Sequence, residues 1–141
     1  MKIAIGCDHG GYGLKEDIRA LVLELGHEIE DCGCYGPASV DYPDFAEAVC
    51  QAVRSGNCKR GILICGSGIG MSMAANRYRE IRAALCHELF TARLSREHND
   101  ANVLCLGARI VGPGLALEMV RVWLTTEFAG GRHQGRIDRF S

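Results

Sequence analysis

A cysteine followed by three closely spaced glycines is the part of this sequence that most clearly suggests chemistry. The apolar residues 62–64 predict a buried strand that ends at Cys65, and Gly66, Gly68 and Gly70 then allow a sharp turn into a helix. The free N–H groups and the positive dipole end of that helix point back at the sulfur, where they favour a thiolate over a thiol. Cys65 is therefore a candidate base or nucleophile, although a buried cysteine is also a common structural residue.

Three further groups of polar residues lie beside predicted strands. They are Asp8 and His9 after the first strand, His98 and Asn99 before the fifth, and Arg109 after the fifth. The carboxyl ends of parallel strands meet at one edge of a sheet, where small polar substrates bind. We therefore expect these groups to converge with Cys65. Each also has a structural alternative, such as helix capping by Asp8.

Predicted strands and helices alternate along the chain and would position these groups. Strands are predicted over residues 2–7, 28–32, 62–64, 82–86 and 102–106, and helices over 14–25, 45–56, after 70, 88–97 and 113–126. This alternation predicts a three-layer αβα sandwich with a five-stranded parallel Rossmann-like sheet. We expect a single domain over residues 1–141.

The last part of that domain, residues 130–141, is basic and rich in glycine. Arg132 and Arg136 would share one face of a helix, where two guanidinium groups suit a phosphate. The alternative is a solvated basic tail with no binding role.

Composition excludes several classes of function. A net charge of −1 over 141 residues provides no long-range attraction to nucleic acid or to an anionic membrane. Charges interrupt every apolar run, so the sequence predicts neither a signal peptide nor a membrane span, and we expect a cytoplasmic protein. Eight cysteines without a Cys-x-x-Cys pair predict reduced thiols rather than disulfides or a zinc site.

A nucleotide- or phosphate-binding module without catalysis is the main alternative hypothesis. The turn at 66–70 has the spacing G-x-G-x-G, and the first turn places Asp8 and His9 where a pyrophosphate needs bare backbone. Asp31 and Glu88 nevertheless have the spacing of ribose-binding acids. A thiol redox protein is a third hypothesis, for which Cys-x-x-Cys spacing would be typical.

Several longer motifs occur in one order along nearly the whole chain. They are Gly6-Cys-Asp-His-Gly10, Asp41-Tyr-Pro43, the turn segment 61–70, Ala74-Ala-Asn76, the segment 95–103 and Gly130-Gly-Arg-His133. In these motifs the sequence resembles the type-B ribose-5-phosphate isomerases and their relatives, the galactose-6-phosphate and allose-6-phosphate isomerases. The resemblance implies a metal-free enzyme with no cofactor that interconverts D-ribose 5-phosphate and D-ribulose 5-phosphate in the pentose phosphate pathway. It also implies a homodimer or tetramer whose active sites contain residues of both subunits.

The resemblance further implies a role for individual residues. Cys65 would move a proton between C2 and C1 through a cis-enediolate, while backbone amides of the turn stabilise the oxyanion. His98 would donate the proton that opens the sugar ring, assisted by Asp8 and Ser67. The implied substrate-binding residues are Asp8, His9, Tyr42, Gly66, Ser67, Gly68, Ile69, Gly70, Asn99, Arg109, Arg132 and Arg136.

Two positions favour ribose 5-phosphate within the family. One branch carries a glutamate base at the position of Met71 with glycine in place of Cys65, and this chain has the cysteine arrangement. Galactose-6-phosphate isomerase subunits commonly lack the histidine that matches His98. A six-carbon sugar phosphate, such as allose 6-phosphate, remains the alternative substrate.

Overall fold

Five segments form one parallel sheet in the computed structural model, which describes all 141 residues. The strands are β1 (Lys2–Cys7), β2 (Glu28–Asp31), β3 (Arg60–Cys65), β4 (Ala83–Leu85) and β5 (Val103–Gly107). Their order across the sheet is β2-β1-β3-β5-β4, and every neighbouring pair is parallel. The central strand β3 is buried along its whole length because helices cover both faces of the sheet.

The helices divide into two layers. They are α1 (Tyr12–Glu24), α2 (Tyr42–Arg54), α3 (Ile69–Ala75), α4 (Leu89–Glu97), α5 (Pro113–Thr125) and α6 (Arg132–Ile137), and a single 3₁₀ turn spans His9–Gly11. Helices α1, α4 and α5 enclose one apolar core, and α2 and α3 enclose the other core on the opposite face. The predicted three-layer αβα sandwich with a five-stranded parallel Rossmann-like sheet is therefore confirmed.

The sheet order places a topological switch point between β1 and β3. The chain continues from β1 outward to β2 on one side, and on the other side it passes from β3 to the edge strand β4 and then returns to β5 between them. The helices that follow β1 and β3 therefore leave toward opposite faces, which opens a crevice outside the carboxyl ends of these two strands. Small-molecule sites of this fold class form in such a crevice.

Helix α2 begins three residues earlier than the sequence predicted. Asp41 occupies the N-cap position with an extended backbone, and Pro43 lies in the first turn, where its missing N–H has no cost. The loop expected to reach Asp44 therefore ends at Asp41. Tyr42 consequently starts a helix and is held more rigidly than a loop residue would be.

The apolar surface of α5 packs inside its own subunit. Trp123 is fully buried, and Arg60 and Arg96 lie over its ring. Arg60 donates to the carbonyl oxygens of Trp123 and Leu124 at the end of α5, while Arg96 donates to Thr126. Burial lowers the pKa of Arg60 to about 10, so it remains a cation at neutral pH. These contacts fix the start of the C-terminal segment against the amino edge of the sheet.

None of these helices combines the length and apolar character needed to cross a bilayer.

Candidate active site

A cavity of about 320 Å³ lies at the carboxyl ends of β1, β3 and β5. Strand register explains its composition, because Cys7 pairs with Ile64 and Cys65 pairs with Gly107. The residues that follow these strands are thereby brought side by side. The cavity is lined by Asp8, Tyr42, Cys65, Gly66, Ser67, Gly70, Arg109 and Ile110.

Cys65 forms the floor of this cavity and is 5% exposed. The amide of Gly68 donates a hydrogen bond to Cys65 Sγ at 3.1 Å. Gly68 has a left-handed backbone, with a φ of +77°, at the point where the chain turns from the end of β3 into α3. A backbone donor in this place stabilises negative charge on the sulfur, as a thiolate base requires.

Other cysteines of the chain lie in environments that keep them protonated. Burial raises the pKa of Cys7 and Cys50 to about 12 and that of Cys32 to about 11. Cys105 is completely buried, and its pKa is also raised well above the ordinary value. The closest thiol pair, Cys7 and Cys34, has its sulfur atoms 3.7 Å apart within the core. These residues pack as small apolar side chains.

Three amides of the turn donate to no acceptor within the chain, namely those of Gly66, Ser67 and Gly70. By contrast, Gly68 donates to Cys65 and Ile69 donates to Ser67 Oγ. Unpaired amides beside a candidate base are suited to a developing oxyanion, because their dipoles are already fixed. Only part of the predicted set of amides is therefore available as oxyanion donors.

Asp8 lines the cavity after β1, and His9 follows it in the 3₁₀ turn at the same edge of the sheet. Asp8 Oδ1 accepts from the amide of Gly10 at 2.9 Å, so the capping role considered from sequence coexists with a place in the cavity lining. His9 Nδ1 accepts from the amide of Val40 at 3.2 Å. An accepting Nδ1 leaves the proton on Nε2, and His9 thereby presents an N–H donor to the exposed side.

Tyr42 and Arg109 complete the rim of the cavity. The Tyr42 ring lies so close to Gly70 that a β-carbon at position 70 would be 2.6 Å from its Cζ atom. The Arg109 amide donates to the carbonyl oxygen of Gly66 at 2.9 Å, and the exposed Arg109 side chain extends beside the same glycine. The Tyr42 ring and the Arg109 backbone are therefore in direct contact with the turn that carries Cys65.

His98 and Asn99 do not join this cavity within one chain. They follow α4 and precede β5, whereas Cys65 lies in register with the last residue of β5. Four residue steps along β5 correspond to roughly 13 Å, so the two groups occupy opposite edges of the sheet. The expected convergence is correct for Asp8, His9 and Arg109, but within one subunit it fails for His98 and Asn99.

A second cluster surrounds His98. Its ring stacks on that of His133 with a centroid separation of 4.2 Å and an angle of 13° between the planes. The pKa of His133 is lowered by partial burial, and further by the nearby charges of His98, Arg132 and Arg136. Both arginines are exposed on the short helix α6, which makes the cluster basic. His133 belongs to a motif noted in the sequence, but no pattern indicated that it would contact His98.

The acids that a dinucleotide site would need are used by the fold itself. Asp31 pairs with the buried Lys15 at 2.8 Å. Glu88 caps α4 by accepting from the amides of Phe90 and Thr91, and these bonds lower its pKa. Neither carboxylate is therefore placed to bind a ribose.

Comparisons with known proteins give a consistent result. A sequence model of the ribose/galactose isomerase family matches residues 3–140. The chain is 49% identical to ribose-5-phosphate isomerase B of Escherichia coli over 137 residues, covering 97% of this chain and 92% of that protein. The structure of ribose-5-phosphate isomerase B from Clostridium thermocellum is similar, with a TM-score of 0.97, 55% identity and coverage of 99% and 94%. A ribose 5-phosphate isomerase from Thermotoga maritima gives a TM-score of 0.96, 51% identity and coverage of 99% and 96%.

Replacing Gly68 with alanine tests the turn that holds Cys65. The new β-carbon would lie 2.5 Å from Leu85 Cδ1 and 2.9 Å from the carbonyl carbon of Leu106, at a φ of +77°. We expect Gly68→Ala to lose about 1–3 kcal/mol in the free energy of unfolding, measured by urea denaturation. We also expect slower alkylation of Cys65 by iodoacetamide at neutral pH.

Gly13→Ala is the matched control, because a β-carbon at position 13 of α1 meets nothing within 4 Å. It should stabilise the protein by about 0.4–1 kcal/mol and leave alkylation unchanged. Equal changes in both variants would contradict the assigned role of Gly68.

Proposed function

Because the chain belongs to the ribose/galactose isomerase family, we propose that it is an aldose–ketose isomerase that interconverts D-ribose 5-phosphate and D-ribulose 5-phosphate. The observation that carries this proposal is the environment of Cys65. Its sulfur lies at the floor of a polar cavity, accepts the Gly68 amide and is flanked by unpaired amides. A site that only binds a phosphate ligand would use the unpaired amides, but it has no use for a thiol that accepts a backbone N–H.

The chemical step is a proton transfer between adjacent carbons. In the open-chain aldose, the Cys65 thiolate removes the proton from C2, and the electron pair forms a C1–C2 double bond while the C1 carbonyl oxygen becomes an oxyanion. The resulting cis-enediolate is stabilised by the amides of Gly66, Ser67 and Gly70. A proton then moves from the C2 hydroxyl to the C1 oxygen, and the Cys65 thiol returns its proton to C1 as the C2 carbonyl forms.

Ring opening precedes this step because the sugar exists mainly as a furanose. His98 donates a proton to the ring oxygen O4, and the hydroxyl on C1 gives its proton to the Asp8 carboxylate as the carbonyl forms. Asp8 and Ser67 lie at the cavity wall and hold the sugar hydroxyls during this change. Tyr42 and Asn99 supply further polar contacts.

The phosphate is bound by cationic and N–H donors remote from the reacting carbons. These are His9, Arg109, Arg132 and Arg136, all of which are exposed. Binding the charged end of the substrate orients C1 and C2 at Cys65, so that binding energy lowers the barrier to proton transfer.

The complete active site contains residues of two subunits in a homodimer, alone or as half of a tetramer. Cys65 and Asp8 line the cavity at the carboxyl edge, while the His98 cluster lies at the amino edge, roughly 13 Å away along β5. A second copy of the chain can bring its His98 cluster to the first copy's Cys65. Exposed apolar side chains beside the cavity support such a contact, with Met73 67% and Ile110 56% exposed.

We place the enzyme in the cytoplasm. All eight cysteines carry free thiols, and a reducing compartment keeps such thiols unpaired.

Cys65→Ser is the direct test of the proposed base. We expect kcat for ribose 5-phosphate to fall by roughly 10²–10⁴-fold, because a serine hydroxyl is a far weaker acid than a thiol. The dissociation constant for ribose 5-phosphate, measured by calorimetry, should stay nearly constant. The matched control is Cys58→Ser, a buried cysteine at the amino edge of the sheet, which should keep wild-type kcat.

Full turnover by the serine variant would refute the assignment of Cys65. A folded wild-type protein that binds ribose 5-phosphate without isomerising it would support a binding module. Turnover of allose 6-phosphate or galactose 6-phosphate in its place would assign the hexose activity.

Mixed dimers test whether the active site is shared. If each active site combines Cys65 of one subunit with His98 of the other, a dimer of one Cys65→Ser subunit and one His98→Asn subunit has both substitutions in one site. Its other site is intact. Co-refolding the two inactive variants in equal amounts should therefore recover about one quarter of wild-type kcat. No recovery would show that each site is built within one chain.

The wild type refolded with the Cys65→Ser/His98→Asn double variant is the control. If the sites are shared, only wild-type homodimers are active, and about one quarter of wild-type kcat remains. If each site lies within one chain, every wild-type subunit is active, and about one half remains.

A further inference from the structure

Lys15 is a charged residue in the interior of the protein, on the first turn-and-a-half of α1. Its side chain is completely inaccessible to solvent. Lysine ammonium groups are strongly hydrated and are almost never fully buried unless paired. It belongs to α1, the helix that follows the His9–Gly11 turn.

All three ammonium hydrogens of Lys15 have acceptors. Nζ donates to Asp31 Oδ1 at 2.8 Å, to Asp31 Oδ2 at 3.0 Å and to the carbonyl oxygen of Cys34 at 2.7 Å. Asp31 Oδ1 also accepts from the amide of Gly33 at 2.9 Å. The ion pair therefore binds the backbone of residues 33 and 34 directly.

The same two residues are bound to the end of β1. The amide of Cys7 donates to the carbonyl oxygen of Gly33 at 2.7 Å, and the amide of Cys34 donates to the carbonyl oxygen of Cys7 at 2.9 Å. The start of the loop that spans residues 33–41, which we call the β2–α2 loop, is thereby fixed beside Asp8. Tyr35 adds a bond from its hydroxyl to the carbonyl oxygen of Asp31 at 2.8 Å.

The other end of the β2–α2 loop contacts the active site. Val40 packs against the core, and its amide donates to His9 Nδ1 at 3.2 Å. The loop therefore bridges the start of α1 twice, once through Lys15 and once through His9. Asp41, the next residue, occupies the N-cap position of α2, so the loop is bound near both of its ends.

A buried ion pair is a poor source of stability, because well-packed apolar side chains of similar volume often stabilise a fold as well or better. What the pair provides is a fixed arrangement of the groups that it binds. In this protein those groups are the backbone atoms that lead to the His9 contact.

We propose that Lys15 is a positioning residue of the isomerase. It holds the β2–α2 loop in the conformation in which the Val40 amide donates to His9 Nδ1, so that His9 Nε2 carries the proton and donates to the substrate phosphate. This inference rests on the proposed function for the identity of the substrate. The tautomer of His9 is independent of it.

The tautomer is measured first, on the unmodified protein, from long-range ¹H–¹⁵N correlations of the histidine rings assigned with His9→Ala. We expect His9 Nδ1 to have the shift of an unprotonated nitrogen at pH 7.5 and Nε2 that of a protonated one. A protonated Nδ1 would overturn the proposal. This measurement uses no substrate. If the protein did not isomerise ribose 5-phosphate, the proposed function would fail, but the tautomer of His9 would still test the positioning role of Lys15.

Lys15→Met then removes the three donors while keeping the length of the side chain. We expect KM for ribose 5-phosphate to rise roughly tenfold, the size of one lost charge-assisted hydrogen bond. We also expect kcat to remain nearly constant and His9 to populate both tautomers. Lys59→Met is the matched control, because Lys59 is exposed and should change neither KM nor the tautomer.

A double-mutant cycle separates positioning from a general loss of stability. If Lys15 acts through His9, adding Lys15→Met to His9→Ala changes KM no further. The proposal would be overturned if the double variant raised KM by the product of the two single effects. It would also be overturned if Lys15→Met lowered kcat and left KM unchanged. Val40→Pro removes the backbone N–H that donates to His9 Nδ1 and leaves the Lys15–Asp31 ion pair unchanged. It should therefore reproduce the rise in KM even if Lys15→Met does not fold.

Discussion

The hydrogen bond from the Gly68 amide to the Cys65 sulfur is the interaction on which the proposed chemistry depends. Gly68, which donates this bond, has a left-handed backbone conformation, and a β-carbon at this position would strike Leu85 and Leu106. The same turn leaves the amides of Gly66, Ser67 and Gly70 without acceptors. One backbone conformation thus supplies the base with a donor and the oxyanion with its binding site.

The parallel sheet divides the catalytic groups between its two edges. Groups that follow strands collect at the carboxyl edge, where Asp8, Cys65 and Arg109 meet, while groups that precede strands remain at the amino edge. His98 is therefore separated from Cys65 by the length of β5. Under the proposed function, association of two copies is a requirement of catalysis, because neither edge alone contains both the base and the ring-opening acid.

Sequence patterns predicted those features that are set by local chemistry. The buried β3 strand, the glycine turn and the alternation of elements follow from residue type and spacing, and the structure confirms the resulting fold. The sequence prediction starts α2 three residues too late because it assigns Asp41 and Pro43 to the preceding loop, although both are typical of a helix start. Two contacts were not predicted. His133 stacks on His98, which lies 35 positions away, and the buried Lys15 binds Asp31, which lies 16 positions away. No periodicity along the chain encodes such pairs, since tertiary packing alone brings them together.

Isomerisation in deuterated water tests the central claim, that a thiolate at position 65 moves a proton between C2 and C1, most directly. The protein is incubated with D-ribose 5-phosphate well past equilibrium, and both sugars are examined by NMR. We predict that deuterium accumulates at C1 of ribulose 5-phosphate and at C2 of ribose 5-phosphate, and that Cys65→Ser shows neither label. Full interconversion with protium retained at both carbons would indicate hydride transfer and would contradict this account.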